Sequence, residues 1–384
     1  MLGGFDVLVM SFTGKAISTA WDLNGGQLGL LLSAGLVGMA IGSAAIAPWA
    51  DRIGRRPIVL VCLAVAAVGM VLSSVSQSAG QLGALRVLTG IGIGGILATS
   101  NVLSAEYASR RWRGLAVSLN STGYAIGATV GGLLAAALIG GPGWRAVFLV
   151  GGLATALALP VVFWGLPESM AFLLNRQPAD ALERVNVLLS RLGVAPLSVL
   201  PERSRVGTGM RLRYRQLLTS GLRRTTVLLW VTFFCVMAGF YFVTSWTPTL
   251  LIEAGLSTSA GITGGMLLNL GGIFGTAALG VLAARISLRY VVIGYMVATA
   301  VFLAVFIAST SSLALAFALG GVVGLLVNGC VAGLYAVTSA SYDAEVRTTG
   351  MGTGLAFGRI GAVLAPTLAG ALLDRGAAPE QLYV

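Results

Sequence analysis

Histidine is absent from the 384-residue sequence, lysine occurs once, at Lys15, and only 10% of residues are charged. A soluble domain carries about 25% charged residues. Without histidine there is neither an imidazole proton relay nor a His metal site. Cys62, Cys235 and Cys330 fall in separate apolar runs, with no CxxC spacing and no disulfide framework, so buried thiols are expected. The first 20 residues show no basic n-region followed by a small-residue cleavage site. No nucleophile–base pair, metal cluster or phosphate loop is legible, which argues against an enzyme and against a cofactor.

What is present is apolar: 57% of residues are hydrophobic. Eleven helical runs can be placed, near 1–20, 25–49, 57–76, 81–108, 114–140, 145–166, 225–252, 260–284, 289–308, 312–339 and 348–373. Each approaches the length of about 20 apolar residues that spans a bilayer. The expected fold is an all-α polytopic membrane protein in two bundles, with six runs before the polar stretch 167–223 and five after it. The boundaries are 1–166 for the first bundle, 167–223 for a cytoplasmic central loop and 224–384 for the second bundle. Eleven helices are visible. The tail from Asp374 stops where a twelfth should begin, so the chain is expected to be truncated there.

The loop Asp51-Arg52-Ile-Gly54-Arg55-Arg56 joins two uncharged stretches, 26–49 and 58–75. Its arginines place it on the cytoplasmic side by the positive-inside rule. The net charge of +11 has the same origin: ten arginines lie between Arg176 and Arg224, against a membrane surface, and this is not a nucleic-acid signature. The other basic connections agree, which makes the amino terminus cytoplasmic. Residues 280–289 align with 47–56 without a gap, pairing Arg52 with Arg285 and Arg56 with Arg289. That echo implies an internal repeat. Glu106 ends the fourth run on the same side and is expected to pair with the loop as a latch, provided the pair is partly buried.

Three further features stand out. Arg86 opens the glycine-rich segment Gly90-Ile-Gly92-Ile-Gly94-Gly95 with no charge in the next 19 residues, so it should face the bundle interior. Gly123, Gly127 and Gly131 place one smooth stripe on the fifth run. Asp6 is the one acid inside the first half's spans apart from Glu106, and desolvation there suits a carboxyl group that takes and releases a proton. Lys15 points away from Asp6, nine residues on, and is expected to snorkel to the outer interface.

Asp-Arg-x-Gly-Arg-Arg after the second run, Arg86 with its glycines, and Leu166-Pro167-Glu168-Ser169 resemble the major facilitator superfamily. A finer resemblance, to the aromatic acid:proton symporters, rests on Gly4-Phe5-Asp6, Ala105-Glu106-Tyr107, Trp144-Arg145, Glu345-Val-Arg347 and Gly358-Arg359-Ile360-Gly361. Departures are Gly3 for the first Asp of the helix-one motif, Lys15, Ala47, Ala128 and Met170. The resemblance implies the major facilitator fold of two six-helix bundles, alternating access, and proton-coupled uptake of a small aromatic carboxylate in a cell inner membrane. The partners implied are that organic anion, protons and the lipid bilayer, with no nucleic acid, for a monomer. The alternatives are a facilitator or exporter of another organic anion or drug-like compound, or a truncated membrane protein without transport activity.

Within that frame Asp6 is the expected proton-coupling residue. Asp51, Arg52, Arg55, Arg56 and Glu106 form the expected gate. Tyr241, Trp246, Asn269, Asn328 and Tyr335 offer ring stacking or hydrogen bonds in the second half. The repeat lays Gly354–Gly358 over Gly123–Gly127, which puts Arg359 at the position of Ala128. Eleven residues into its helix it lies roughly 16 Å deep, beyond easy snorkelling. A guanidinium there can hold a carboxylate by two parallel hydrogen bonds. Arg359 is therefore the expected substrate ligand, with Arg86 in support; the competing expectation is an ion pair between Arg359 and Asp6.

Overall fold

A bilayer core offers no hydrogen-bond partners, so a spanning segment must satisfy its backbone within itself. The computed structural model is accordingly helical. It describes residues 1–107, 113–191, 193–201, 217–219, 221–308, 313–342, 344–376 and 382, without the side chains of 47, 48, 51, 101, 105, 113–121, 307, 308, 313, 314, 316 and 344–348. The first half holds α1 (Leu2–Trp21), α2 (Gly25–Ile53), α3 (Arg55–Ser74), α4 (Ala79–Tyr107), α5 (Arg113–Ile139) and α6 (Trp144–Gly165). Two short helices follow, α7 (Met170–Arg176) and α8 (Ala181–Arg191). The second half holds α9 (Arg223–Glu253), α10 (Thr258–Ala283), α11 (Leu288–Ala308), α12 (Leu313–Ser341) and α13 (Ala344–Asp374).

The count of described helices is thus thirteen rather than eleven. The eleven long runs are all present, and the two extra helices fall in the stretch read as a loop. Alternation of apolar and charged residues makes α8 amphipathic: Ala181, Val185 and Leu188 turn inward, and the last two cluster with Leu173 of α7. Ten described helices are long and apolar enough to cross a membrane, and α1, which carries Asp6 and Lys15, is not among them. Cys62 and Cys330 are buried as expected, whereas Cys235 is exposed on α9.

The helix pairings repeat. In the first half α1 packs on α5, α2 on α4 and α3 on α4; in the second, α9 packs on α13, α10 on α12 and α11 on α12. The halves meet through α2 with α13, α5 with α10 and α1 with α9. This is the duplication that the two arginine loops implied.

The described hydrogen bonds between the halves fall on one face, opposite the arginine-rich connections. Ser11 Oγ donates to the carbonyls of Thr244 (2.7 Å) and Ser245 (2.9 Å), joining α1 to α9. Ser33 Oγ reaches the Val363 carbonyl at 2.7 Å and Thr367 at 2.8 Å, joining α2 to α13. Lys15 bonds Glu253 at 3.1 Å. It does not snorkel freely, because the ends of α1 and α9 meet here. With both side chains about one-third exposed, this pair contributes about 0–1 kcal/mol.

Asp374 is the firmer tie. The amides of Gly25 and Gly26 donate to its two carboxylate oxygens at 2.6 and 2.7 Å. Gln27 N donates to Asn24 Oδ1 at 2.8 Å, so the first three amides of α2 are all satisfied. An acid at the end of α13 opposes its own helix dipole, and placement on the positive start of α2 offsets that cost. Here α2 and α13 touch backbone to backbone: a Cβ on Gly370 would lie 2.0 Å from the Gly25 carbonyl oxygen. Asp374→Ala should therefore shift the closed face toward opening by roughly tenfold, about 1.4 kcal/mol, as expected for charge-assisted bonds at a partly hydrated site. Spin labels at positions 77 and 258 on this face would report it. An unchanged distance distribution would show that Asp374 does not hold the seam.

Candidate functional site

Arg359 lies on α13 one turn from Val363, the carbonyl that Ser33 grips. Its guanidinium is half-buried and donates from Nη1 to the Tyr241 hydroxyl at 3.1 Å. Tyr335 of α12 and Tyr124 of α5 are within electrostatic reach of the same cation. Tyr335 in turn packs against Phe233, ring centroids 6.0 Å apart. One tyrosine thus bonds the arginine and two more, from two other helices, lie within its electrostatic reach; Tyr124 comes from the first half of the chain. Among the described residues no carboxylate forms an ion pair with Arg359. The expected alternative, a bridge to Asp6, is absent.

Asp6 instead faces a small cavity of about 20 Å³ between α1, α2 and α4, whose walls include Arg86, Thr89 and Gly35. It is 4% exposed, and its Oδ1 has no hydrogen-bond partner. Arg86, 2% exposed, donates from Nη2 to Ser73 Oγ and Thr89 Oγ1, both at 3.0 Å, and to Met70 Sδ at 3.1 Å. Both hydroxyls give their own protons to backbone carbonyls, Ser73 to Gly69 and Thr89 to Leu85. They therefore present lone pairs to the cation. The guanidinium also lies over the Phe148 ring, 4.9 Å from its centroid. Neutral ligands thus hold Arg86 beside Asp6, and the two charges share a cavity without an ion pair between them. No described bond links Arg86 to Arg359 or to its tyrosines.

The other expected site residues separate. Tyr241 and Tyr335 join Arg359. Trp246 is fully buried, and its indole Nε1 donates to the Pro366 carbonyl at 3.0 Å, so it fastens α9 to α13 and offers nothing to a ligand. Asn328 donates to Gly324 of its own helix at 3.0 Å and fills the space over Gly272. Asn269 likewise bonds Gly265 at 2.9 Å.

The gate residues cluster on the arginine-rich face. Arg55 pairs with Glu106, as expected, and Ser169 Oγ donates to the other oxygen of Glu106 at 2.6 Å. Glu168 completes the group: its Oε1 accepts the amides of Arg55 (2.8 Å), Arg56 (3.1 Å) and Ser169 (2.8 Å). A carboxylate on the first amides of α3 is well placed for that helix dipole. Gly54 permits it twice, by its φ of 118° and because a Cβ there would meet Glu168 Oε2 at 2.6 Å. The described bonds of this cluster stay within the first half and the α6–α7 connection. Arg52 is exposed, and the Asp51 side chain lies outside the described residues. Glu168, Ser169 and Tyr124 were not singled out as site residues from the sequence. A carboxylate two residues beyond a span, followed by a serine, is the signal that could have found the first two.

The profile of the Major Facilitator Superfamily matches residues 1–366. The gallate transporter of Pseudomonas putida is 32% identical over 98% of this chain and 84% of its own. The 4-hydroxybenzoate transporter PcaK of Acinetobacter baylyi is 31% identical over 96% of this chain and 82% of its own. Among solved structures, the partially occluded inward open xylose transporter XylE from E. coli superimposes with a TM-score of 0.74 at 18% identity, covering 100% of this chain and 91% of that one. An inward-facing bacterial homolog of the human lysosomal transporter Spinster gives 0.75 at 22% identity, covering 97% and 79%. These two likenesses bear on the fold alone. The chain is a multi-pass membrane protein and belongs to the Major Facilitator Superfamily.

Proposed function

We propose that this protein carries a small aromatic carboxylate across the membrane together with protons, by alternating access between two halves that rock about Arg359. The observation that carries the reading is Arg359 itself. A cation deep among spans is costly unless an anion or a strong dipole compensates it. Here the described compensation is one tyrosine hydroxyl, which leaves most of five N–H donors for a ligand. A carboxylate fits that fork by two parallel bonds, and rings of Tyr241, Tyr335 and Tyr124 suit an aromatic body. The names of relatives that carry gallate and 4-hydroxybenzoate support the same substrate class.

Asp6 is the proton carrier in this reading, because it is buried, lacks a partner at Oδ1 and faces Arg86 across a small cavity. Arg86 makes the charged form of Asp6 tolerable in that setting and tunes coupling rather than holding substrate. Residues 1–166 and 224–384 are the moving halves, joined by 167–223. The arginine-rich connections support a cytoplasmic amino terminus by the positive-inside rule, and the transport reading assigns the protein to a cell inner membrane. The Arg55–Glu106–Glu168 cluster stiffens the α2–α3 turn on that side. The protein works as a monomer without a cofactor.

Uptake of labelled 4-hydroxybenzoate into proteoliposomes under an imposed pH gradient tests the proposal. Wild type should accumulate it and lose accumulation with a proton ionophore; accumulation indifferent to the ionophore would remove proton coupling. Asp6→Asn should abolish accumulation yet keep exchange of substrate across the bilayer at equal concentrations. Concentrative uptake by Asp6→Asn at the wild-type rate would make Asp6 structural. Arg359→Ala should weaken the apparent affinity about 10- to 100-fold, the range of about 1.5–3 kcal/mol for a charge-assisted hydrogen bond. Arg359→Lys should recover only part of this, because an ammonium lacks the planar fork.

A further inference from the structure

On the arginine-rich face, the outer surface of the first half carries two adjoining hollows that the transport reading does not use. One is a groove of about 840 Å³ between α3 and α6, lined by Leu60, Val61, Ala64, Leu159, Phe163 and Trp164 among others. Its walls are apolar and open outward: Val61 is 60% and Trp164 79% exposed. The second hollow, about 950 Å³, begins at the same Trp164 and runs under α8 past Arg56, Arg184 and Arg191.

By count the second hollow is balanced, three arginines against Glu168, Asp180 and Glu183, but two of those acids are already engaged. Arg184 is paired with Asp180 at 2.7 Å. Glu168 is committed to the amides of α3, as above. Arg56 spans the junction of the two hollows: its guanidinium lies over Phe163, 5.1 Å from the ring centroid, and bonds the Phe163 carbonyl. Its Nε is buried with no partner. Arg56 and Arg191 form no described ion pair, and Glu183 is the acid left to oppose them.

We infer that the paired hollows bind one anionic phospholipid, with an acyl chain along the α3–α6 groove and the phosphate between Arg56 and Arg191. Three features select a lipid. The apolar groove lies on the surface of two spans, where acyl chains are the surrounding solvent. Trp164 marks headgroup height, where aromatic side chains with one polar edge collect. Basic pockets at the ends of spans recognise acidic headgroups, and arginine holds phosphate by its planar fork. α8 fits as a lid, its apolar face on the protein and its charges toward the headgroup layer. A bound phosphate would also fix Arg56, whose amide caps onto Glu168 beside the Arg55–Glu106 pair, so lipid occupancy would brace that cluster. The inference rests on membrane placement and is independent of the substrate.

Native mass spectrometry of the delipidated full chain, titrated with phosphatidylglycerol and with phosphatidylcholine of identical chains, tests this. Wild type should bind phosphatidylglycerol at least about tenfold more tightly, from charge-assisted contacts. Arg191→Gln, at an exposed helix end, should erase most of that preference and leave phosphatidylcholine binding unchanged. Ala64→Trp, which fills the groove, should weaken both lipids. Arg285→Gln, on the same face of the other half, should leave the preference intact. Equal binding of the two lipids by wild type would overturn the site. So would a preference that survives Arg191→Gln, or one that Arg285→Gln reduces as much, since that is diffuse surface charge. Competition by glycerol phosphate as strong as by the intact lipid would overturn the commitment to a lipid.

Discussion

The contact on which the arrangement depends is the backbone crossing of α2 over α13. Gly25 and Gly370 approach so closely that either Cβ would collide with the opposite chain. That closeness brings Asp374 onto the start of α2 and Ser33 onto Val363. Arg359 is one turn below Val363, and Tyr241 is one turn below Thr244, which Ser11 grips. Closing bonds and the proposed ligand site are therefore built on the same stretches of α9 and α13. A ligand that draws Arg359 and the tyrosines together acts on the helices that form the seam, and opening the seam disturbs the site. Tyr124 extends this logic, because it brings α5 of the first half to a cation of the second.

Two arginines lie among apolar helices and are treated differently. Arg86 is enclosed by hydroxyls, a thioether and a ring, so its charge is spread over neutral neighbours. What remains acts on Asp6 in the adjacent cavity. Arg359 keeps a tyrosine hydroxyl and an open fork. Low dielectric magnifies both effects, since a lone charge in such surroundings interacts strongly with any partner that arrives. In the proposed reading one half of the duplicated fold holds the proton site and the other the anion site, joined by helices that pack closely at small residues such as Gly132 against Met266.

Much of this was legible in the sequence. Uncharged runs gave the helices, since spanning length and charge exclusion are local properties. The repeat of arginine loops gave the duplication. The place of Arg359 well inside its helix was legible by counting residues from a helix start, because depth follows from rise per residue. Failures came where the partner was backbone or distant in sequence. Asp374 meets amides 349 and 348 positions away, and nothing in an aspartate at a helix end announces that. Glu168 likewise serves backbone amides of α3. Trp246 was expected to face a ligand, but its N–H is spent on the Pro366 carbonyl. Lys15 was expected in the interface, because Glu253 is visible as its partner only once the ends of α1 and α9 are brought together.

The central claim is that an unpaired guanidinium selects a carboxylate on an aromatic body. Equilibrium binding of benzoate and of its uncharged amide to the purified full chain tests it most directly, since the two ligands share ring and shape and differ in charge. The account predicts that the acid binds at least about tenfold more tightly than the amide, in line with one charge-assisted bond, and that Arg359→Ala removes the difference. Equal affinity of the wild-type protein for acid and amide would contradict it.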